Sequence, residues 1–162
     1  MHHTISVLVV NQSGVLSRIS GLFSGRGFNI ESLNVAETND SGISRMTIVT
    51  RGDDKKIEQV TKQLNKLVDV IKVIDLTEEN FVDRELILVK MNAEVRVREE
   101  ILRIVDIFRA KVIDVSPDTY TVEITGDEGK TKGFLDLLKP LGIKEVVRSG
   151  RIAISRGIKP MN

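Results

Sequence analysis

Twice between His3 and Arg148 the chain runs through the same order of apolar segments, and this repeated order restricts the fold more than any single residue does. His3 to Val10 reads as a strand: Ile5-Ser-Val-Leu-Val-Val10 is nearly all apolar, as in a strand buried within a sheet. Val15, Leu16, Ile19, Leu22 and Phe23 then recur at helical spacing, and Gly25-Arg-Gly27 closes that helix. Phe28 to Thr38 and Ser44 to Arg51 read as two strands joined by the turn Asn39-Asp-Ser-Gly42. Asp53 can cap a second helix whose buried stripe is Ile57, Val60, Leu64 and Leu67, and Val70 to Leu76 is a fourth strand.

After the polar stretch Thr77 to Asp83 the same order returns. Glu85 to Met91 is a strand, and Val97 to Arg109 a helix with Val97, Ile101, Ile104, Val105 and Phe108 inward. Strand Lys111 to Val115, turn Ser116-Pro-Asp118 and strand Tyr120 to Thr125 follow. A helix with Phe134, Leu135, Leu138 and Leu141 on one face and a strand over Lys144 to Arg148 complete the plan. Little residue identity links the halves, so pattern is what repeats. The expected fold is α+β, two tandem ferredoxin-like βαββαβ domains, with residues 1–77 and 84–162 as the domains and 78–83 as linker. Ile152-Ala-Ile154 is left either to add a strand or to dock as a tail. Helices cover one face of such a sheet, so the other face and the edge strands need a partner, which a homodimer joining sheets edge to edge would provide.

Composition removes several function classes. The 24 basic and 23 acidic residues leave a net charge of +1, which exerts little pull on nucleic acid or anionic lipid. No apolar run approaches the ~20 residues that span a bilayer, so a cytoplasmic protein with no membrane partner is expected. The absence of cysteine rules out disulfides, thiolate metal sites and a cysteine nucleophile. His2 and His3 fall at a chain end where fraying is expected, a poor place for a catalytic base. Gly126-Asp-Glu-Gly-Lys-Thr131 contains Gly-Lys-Thr, but Ile124 stands where a Walker loop needs its first glycine, so it reads as a capped helix start. The central strands carry no aromatic platform for RNA bases. No catalytic residue, metal site or cofactor site emerges.

One place does invite a ligand. Asn11-Gln-Ser-Gly-Val-Leu16 puts a glycine-containing polar turn between a strand and a helix start. Unpaired N–H groups and the helix dipole, about +0.5 of a charge, favour an anion such as a carboxylate there. The plainer alternative is a helix start with Ser13 as N-cap and Gly14 as a turn glycine.

The first half resembles an ACT domain, the amino-acid-sensing form of this fold. Asn-x-Ser-Gly-x-Leu-x-Arg at 11–18, Leu22-Phe23, Arg26-Gly-Phe-Asn-Ile-Glu-Ser-Leu33, Ser44-Arg-Met-Thr-Ile48 and Lys66-Leu-Val-Asp-Val70 are similar to the small regulatory subunits of acetolactate synthase (acetohydroxyacid synthase). Arg84-Glu-Leu, Leu88-Val-Lys90, Ile107-Phe-Arg109, Ile113-Asp-Val115, Arg148-Ser-Gly150 and Ser155-Arg-Gly157 resemble that family's C-terminal domain. The resemblance implies a non-catalytic subunit of branched-chain amino-acid biosynthesis, a homodimer through its ACT domains. It would activate a separate large catalytic subunit and confer feedback inhibition by valine or another branched-chain amino acid. Thiamine diphosphate, Mg and usually FAD would belong to that catalytic partner. The resemblance further implies an effector site made by Asn11, Gly14, Val15 and Leu16 of one chain with Asn29 and Ile30 of its twin. The alternative is a free-standing ACT-type sensor acting on a different enzyme or transport system.

Overall fold

The computed structural model describes residues 1–157, ordered as β1 (His2–Val10), α1 (Val15–Gly25), β2 (Ile30–Glu37), β3 (Ile43–Arg51), α2 (Asp54–Asn65), β4 (Val70–Asp75), a 3-10 turn (Leu76–Glu78), β5 (Phe81–Asn92), α3 (Val95–Ile107), β6 (Lys111–Val115), β7 (Thr119–Gly126), α4 (Glu128–Gly142), β8 (Ile143–Arg148) and β9 (Ile152–Ser155). The described residues divide into two compact units, one made of residues 1–83 with 151–157, the other of residues 84–150. The expected α+β plan of two βαββαβ repeats is present, with one sheet in the order β2-β3-β1-β4 and the other in the order β6-β7-β5-β8, to which β9 adds a fifth strand by pairing with β5. Among the described residues no helix is long and apolar enough to cross a membrane.

In the first unit, alternate residues of the two central strands, Ile5, Val7, Val9, Met46 and Ile48, face Val15, Ile19 and Phe23 of α1 and Ile57, Val60 and Leu64 of α2. The helices end and begin for local reasons. Gly27 takes a left-handed φ of 75°, the Gly27 and Phe28 N–H groups close back on Ser24 and Phe23, and the Phe23 and Phe28 rings meet edge to face with centroids 6.4 Å apart. Asp53 accepts the Lys56 N–H at 2.9 Å and starts α2.

The second unit repeats this logic. Ile87, Val89, Met91, Val122 and Ile124 meet Ile101, Ile104 and Val105 of α3 and Phe134 and Leu138 of α4. Asp127 accepts the Lys130 N–H at 2.9 Å, and Thr131 is buried with its hydroxyl on the Asp127 carbonyl, so Gly126 to Thr131 is the capped helix start that the sequence suggested. α3 stops at Ile107, short of Arg109, because Arg109 adopts a left-handed φ of 54° and its N–H and that of Ala110 return to Asp106 and Val105.

Three expectations need correction. The segment 78–83 is not a plain linker: β5 already begins at Phe81, and Asp75 caps the 3-10 turn through the Thr77 N–H. His3 is not frayed: β1 runs to His2 opposite Arg51, and His3 is buried, with Nδ1 3.0 Å from Asp75 and Nε2 3.3 Å from Asp54. Finally, residues 151–155 group with the first unit, although β9 pairs with β5. They form a strap on the outer face of the first sheet, where Thr4, Ser6, Thr47 and Val49 are themselves buried. The Arg151 N–H donates to Ser32 Oγ (3.2 Å), Asn34 Nδ2 donates to the Arg151 carbonyl (3.2 Å), and Arg45 Nη2 donates to the Ala153 carbonyl (3.2 Å). The chain thus supplies for itself part of the cover that a twin had been expected to give.

Phe134→Ala removes the largest fully buried side chain of the second core and should lower stability by about 3–5 kcal/mol. Asp127→Ala, which removes only a cap, should cost about 1 kcal/mol. Urea denaturation of the two variants against the parent chain checks the ranking.

Candidate functional site

β1 emerges from the centre of its sheet into a loop held on both sides. The Val10 N–H donates to the Asp69 carbonyl (2.9 Å), the Asn11 N–H to the Gly42 carbonyl (2.8 Å), and the Gln12 N–H turns back to Val10 (2.9 Å). Asn11 Nδ2 donates to Glu37 Oε1 (3.1 Å) and to the Ser41 carbonyl (2.9 Å). With its amide hydrogens committed, Asn11 retains its side-chain oxygen for a ligand, an acceptor suited to an ammonium group.

Gly14, not Ser13, is the N-cap of α1. It has a left-handed φ of 86°, and no side chain caps the helix. The first turn also lacks an acidic residue, and the Arg18 N–H is the one that returns to the Gly14 carbonyl, at 3.0 Å. The preceding amides of the turn have no acceptor within the helix, so they and the dipole leave a positive end where the chain has no Cβ in the way.

Arg18 adds to that field. Its Nε donates to Asp69 Oδ2 at 2.8 Å, and a Cβ built on Gly14 would lie 3.1 Å from Arg18 Nη1. Reading the sequence left Arg18 inside a motif and gave it no part in the site; its spacing of four residues from Gly14, one helical turn, was the available signal. Asp69 carried no such signal, being brought to Arg18 by the approach of β4 to β1.

The remaining site residues divide by position. Val15 is buried in the core and offers a backbone amide, whereas Leu16 is 43% exposed. Asn11, Gly14, Val15 and Leu16 are therefore together in one chain. Asn29 and Ile30 are not with them. Ile30 pairs with Thr50, as does His3, while Glu37 pairs with Ser44, as does Val9, so Asn29 and Ile30 lie at the far end of the sheet. The eight-residue β2 separates the two ends by about 23 Å at ~3.3 Å per residue. At that far end the Asn29 carbonyl accepts from Thr50 Oγ1 (2.7 Å), and exposed Arg51 and His2 flank Glu31 at 3.2 and 3.1 Å. β2 is an edge strand, with one side of its backbone open to a partner. Among the described residues no group of His, Asp or Glu is arranged to hold a metal ion.

Residues 5–72 match the family model of the AHAS small subunit-like ACT domain, and residues 84–157 match that of the small subunit of acetolactate synthase. The acetolactate synthase small subunit of Aquifex aeolicus is 56% identical over 155 residues, covering 95% of this chain and 81% of that protein. The chain belongs to the acetolactate synthase small-subunit family. A probable small subunit from Archaeoglobus fulgidus is 54% identical over 159 residues, 98% of this chain and 99% of its own length. The crystal structure of the acetolactate synthase small subunit from Thermotoga maritima superposes with a TM-score of 0.88 at 42% identity, covering 98% of this chain and 99% of that one. The family accounts for both units, and it identifies the first as an ACT domain, the expected mark of a regulatory subunit.

Gly14→Ala forces a Cβ into a left-handed conformation beside Arg18 and should lower stability by about 1 kcal/mol, whereas Gly14→Asn, whose side chain tolerates that conformation, should cost less. Thermal melting of both variants tests whether backbone strain sets the order.

Proposed function

We propose that this chain is the regulatory, non-catalytic subunit of acetolactate synthase, a cytoplasmic homodimer that activates the large catalytic subunit and makes it sensitive to a branched-chain amino acid, valine first. Thiamine diphosphate, Mg and usually FAD stay with the catalytic partner. The observation that carries the reading is the place of β2: an edge strand that begins at Ile30, just after Asn29, and whose end lies beside Asn11. Two copies joined antiparallel along β2 by a twofold axis would bring Asn29 and Ile30 of one protomer to the 11–16 loop of its partner, at both ends of the seam at once.

In that arrangement the uncapped amides at Val15 and Leu16 receive the effector carboxylate, with Arg18 behind them, and the Asn11 side-chain oxygen accepts from its ammonium group. Leu16 and Ile30 offer apolar surface to the aliphatic side chain. Because the ligand touches both protomers, its binding favours one geometry of the dimer. A coupling of about 1–3 kcal/mol then gives a five- to 150-fold regulatory effect. Valine, leucine and isoleucine differ by methylene groups worth about 1–3 kcal/mol each in an apolar pocket, so the three are to be ranked by measurement.

Calorimetric titration of the purified chain with each of the three amino acids should show binding, valine tightest. Asn11→Ala and Gly14→Asp should each weaken it by at least ~10-fold, about 1.4 kcal/mol, with dimerisation retained. Aspartate tolerates the left-handed backbone and places a competing carboxylate beside Arg18. Undiminished valine binding by Gly14→Asp removes the site from consideration. Pyruvate turnover by the chain without a large subunit overturns the non-catalytic assignment.

A further inference from the structure

We infer that the strap at 151–155 is the element through which occupancy of the β2 seam is passed to residues 84–150, with Arg151 as its positioning residue. This rests on the proposal that an effector meets Asn29 and Ile30 at that seam. The strap crosses three strands of the first sheet and holds each by polar groups. On β2 it contacts Ser32 and Asn34, two and four residues beyond Ile30; on β3 it meets Arg45; on β1, Arg151 Nη1 donates to Thr4 Oγ1 at 3.3 Å.

Ser32 lies where β2 is irregular. The register of β2 on β3 shifts between Ile30 and Ser32, so the ladder is interrupted beside the residues assigned to the effector. A bulge is a point at which a strand can bend or re-aim without loss of the whole ladder. The Arg151 N–H is bonded to the residue on the far side of that irregularity.

Arg151 also ties together both covalent routes to residues 84–150. Its Nε lies 3.1 Å from Asp83 Oδ2, and both side chains are largely buried. Asp83 is the last residue of the first unit before the chain leaves it, and Arg151 is the first on return. One ion pair therefore joins exit and re-entry and fixes them to β2, so a displacement of β2 reaches both connections together.

Ala153 is the strap's buried apolar side chain, while Ile152 and Ile154 are each 57% exposed, so the strap is held chiefly by hydrogen bonds, those to the first sheet and the pairing of β9 with β5. Each such bond is worth little net of its exchange with water, unlike a packed core contact. Arg45, whose pKa burial lowers from its ordinary value, divides its donors between Ser6 Oγ (2.9 Å) and the Ala153 carbonyl, so one of its hydrogen bonds depends on the strap being seated.

The test reconstitutes the holoenzyme with wild-type chain, Arg151→Ala or Asn34→Ala, and follows valine binding, activation and inhibition separately. Hydrogen exchange of the 151–156 amides is measured with and without valine. For Arg151→Ala the expected result is valine binding within about 3-fold of wild type and retained activation, but at least ~10-fold more valine for half inhibition. In the wild-type chain valine should change exchange at 151–156. Asn34→Ala removes one strap bond without touching the ion pair, and carries the same split in smaller measure should Arg151→Ala fail to fold. Wild-type inhibition in both variants, or exchange at 151–156 that ignores valine while wild type binds it, overturns the strap and leaves the effector site standing. A wild-type chain that binds none of the branched-chain amino acids overturns the site, and the strap with it.

Discussion

The first unit depends on β1 being paired along its whole length. It lies between β3 and β4, matched to β3 from His2↔Arg51 to Val10↔Ile43, and residues on both its faces are buried, Ile5, Val7 and Val9 against the helices and Thr4, Ser6 and Leu8 on the other side. A strand so enclosed needs all its N–H and C=O groups in ladders and nearly all its side chains apolar or hydrogen-bonded. This explains the run Ile5 to Val10, and why the polar exceptions Thr4 and Ser6 are met by Arg151 and Arg45. It also fixes the end of β1 to within one residue, since slipping the register by one would turn Ile5, Val7 and Val9 out of the core. The loop at 11–14 is accordingly rigid where it leaves the sheet, which is what an amide-lined ligand site requires.

Against that fixed point the start of α1 is left uncapped. Asp53 and Asp127 cap α2 and α4, and the same service at α1 would place an oxygen on the amides proposed to bind a carboxylate. Gly14 avoids this twice: it has no side chain to compete, and its left-handed φ lets the chain turn from Asn11 into the helix with the first-turn amides uncovered. The helix forgoes about 1 kcal/mol of capping there. Arg18, paired with Asp69, contributes positive charge near the same amides without blocking them.

What could be read from the sequence was local. The Gly27 helix exit, the Asp53 cap, the capped helix start at Gly126 to Thr131, both helical stripes of each half and the βαββαβ order are written in neighbours a few residues apart, and the structure keeps them. The burial of His3 was not legible, because it comes from Asp75 and Asp54, each more than fifty residues away in the chain. Ile152-Ala-Ile154 was legible as a segment that adds a strand or docks, and it does form β9, paired with β5; that the backbone at Arg151 and Ala153 also meets Ser32 and Arg45 of the first sheet was not legible. The left-handed Arg109 was missed because a non-glycine residue in that conformation carries no sequence signal. At the candidate site Asn11, Gly14 and Leu16 were legible as a strand-to-helix turn. That Asn29 and Ile30 lie at the opposite end of the sheet follows from strand order, which no period in the sequence encodes.

A regulatory subunit faces a constraint that a purely structural domain does not: it must respond to a signal of about 1–3 kcal/mol. The two apolar cores cannot carry such a signal, because displacing even one buried aromatic costs more than the effector supplies. The movable parts have to be polar contacts at edges and faces, each worth ~1 kcal/mol, arranged so that several change together. In the first unit these are the open edge of β2, the irregularity between Ile30 and Ser32, and the bonds from Ser32, Asn34 and Arg45 to the strap. They form a continuous line from the proposed seam to the Asp83–Arg151 pair at which the chain passes into residues 84–150. An apolar core on one face of the sheet and a polar strap on the other separate the two demands: the core keeps the fold, and the strap is the element proposed to respond.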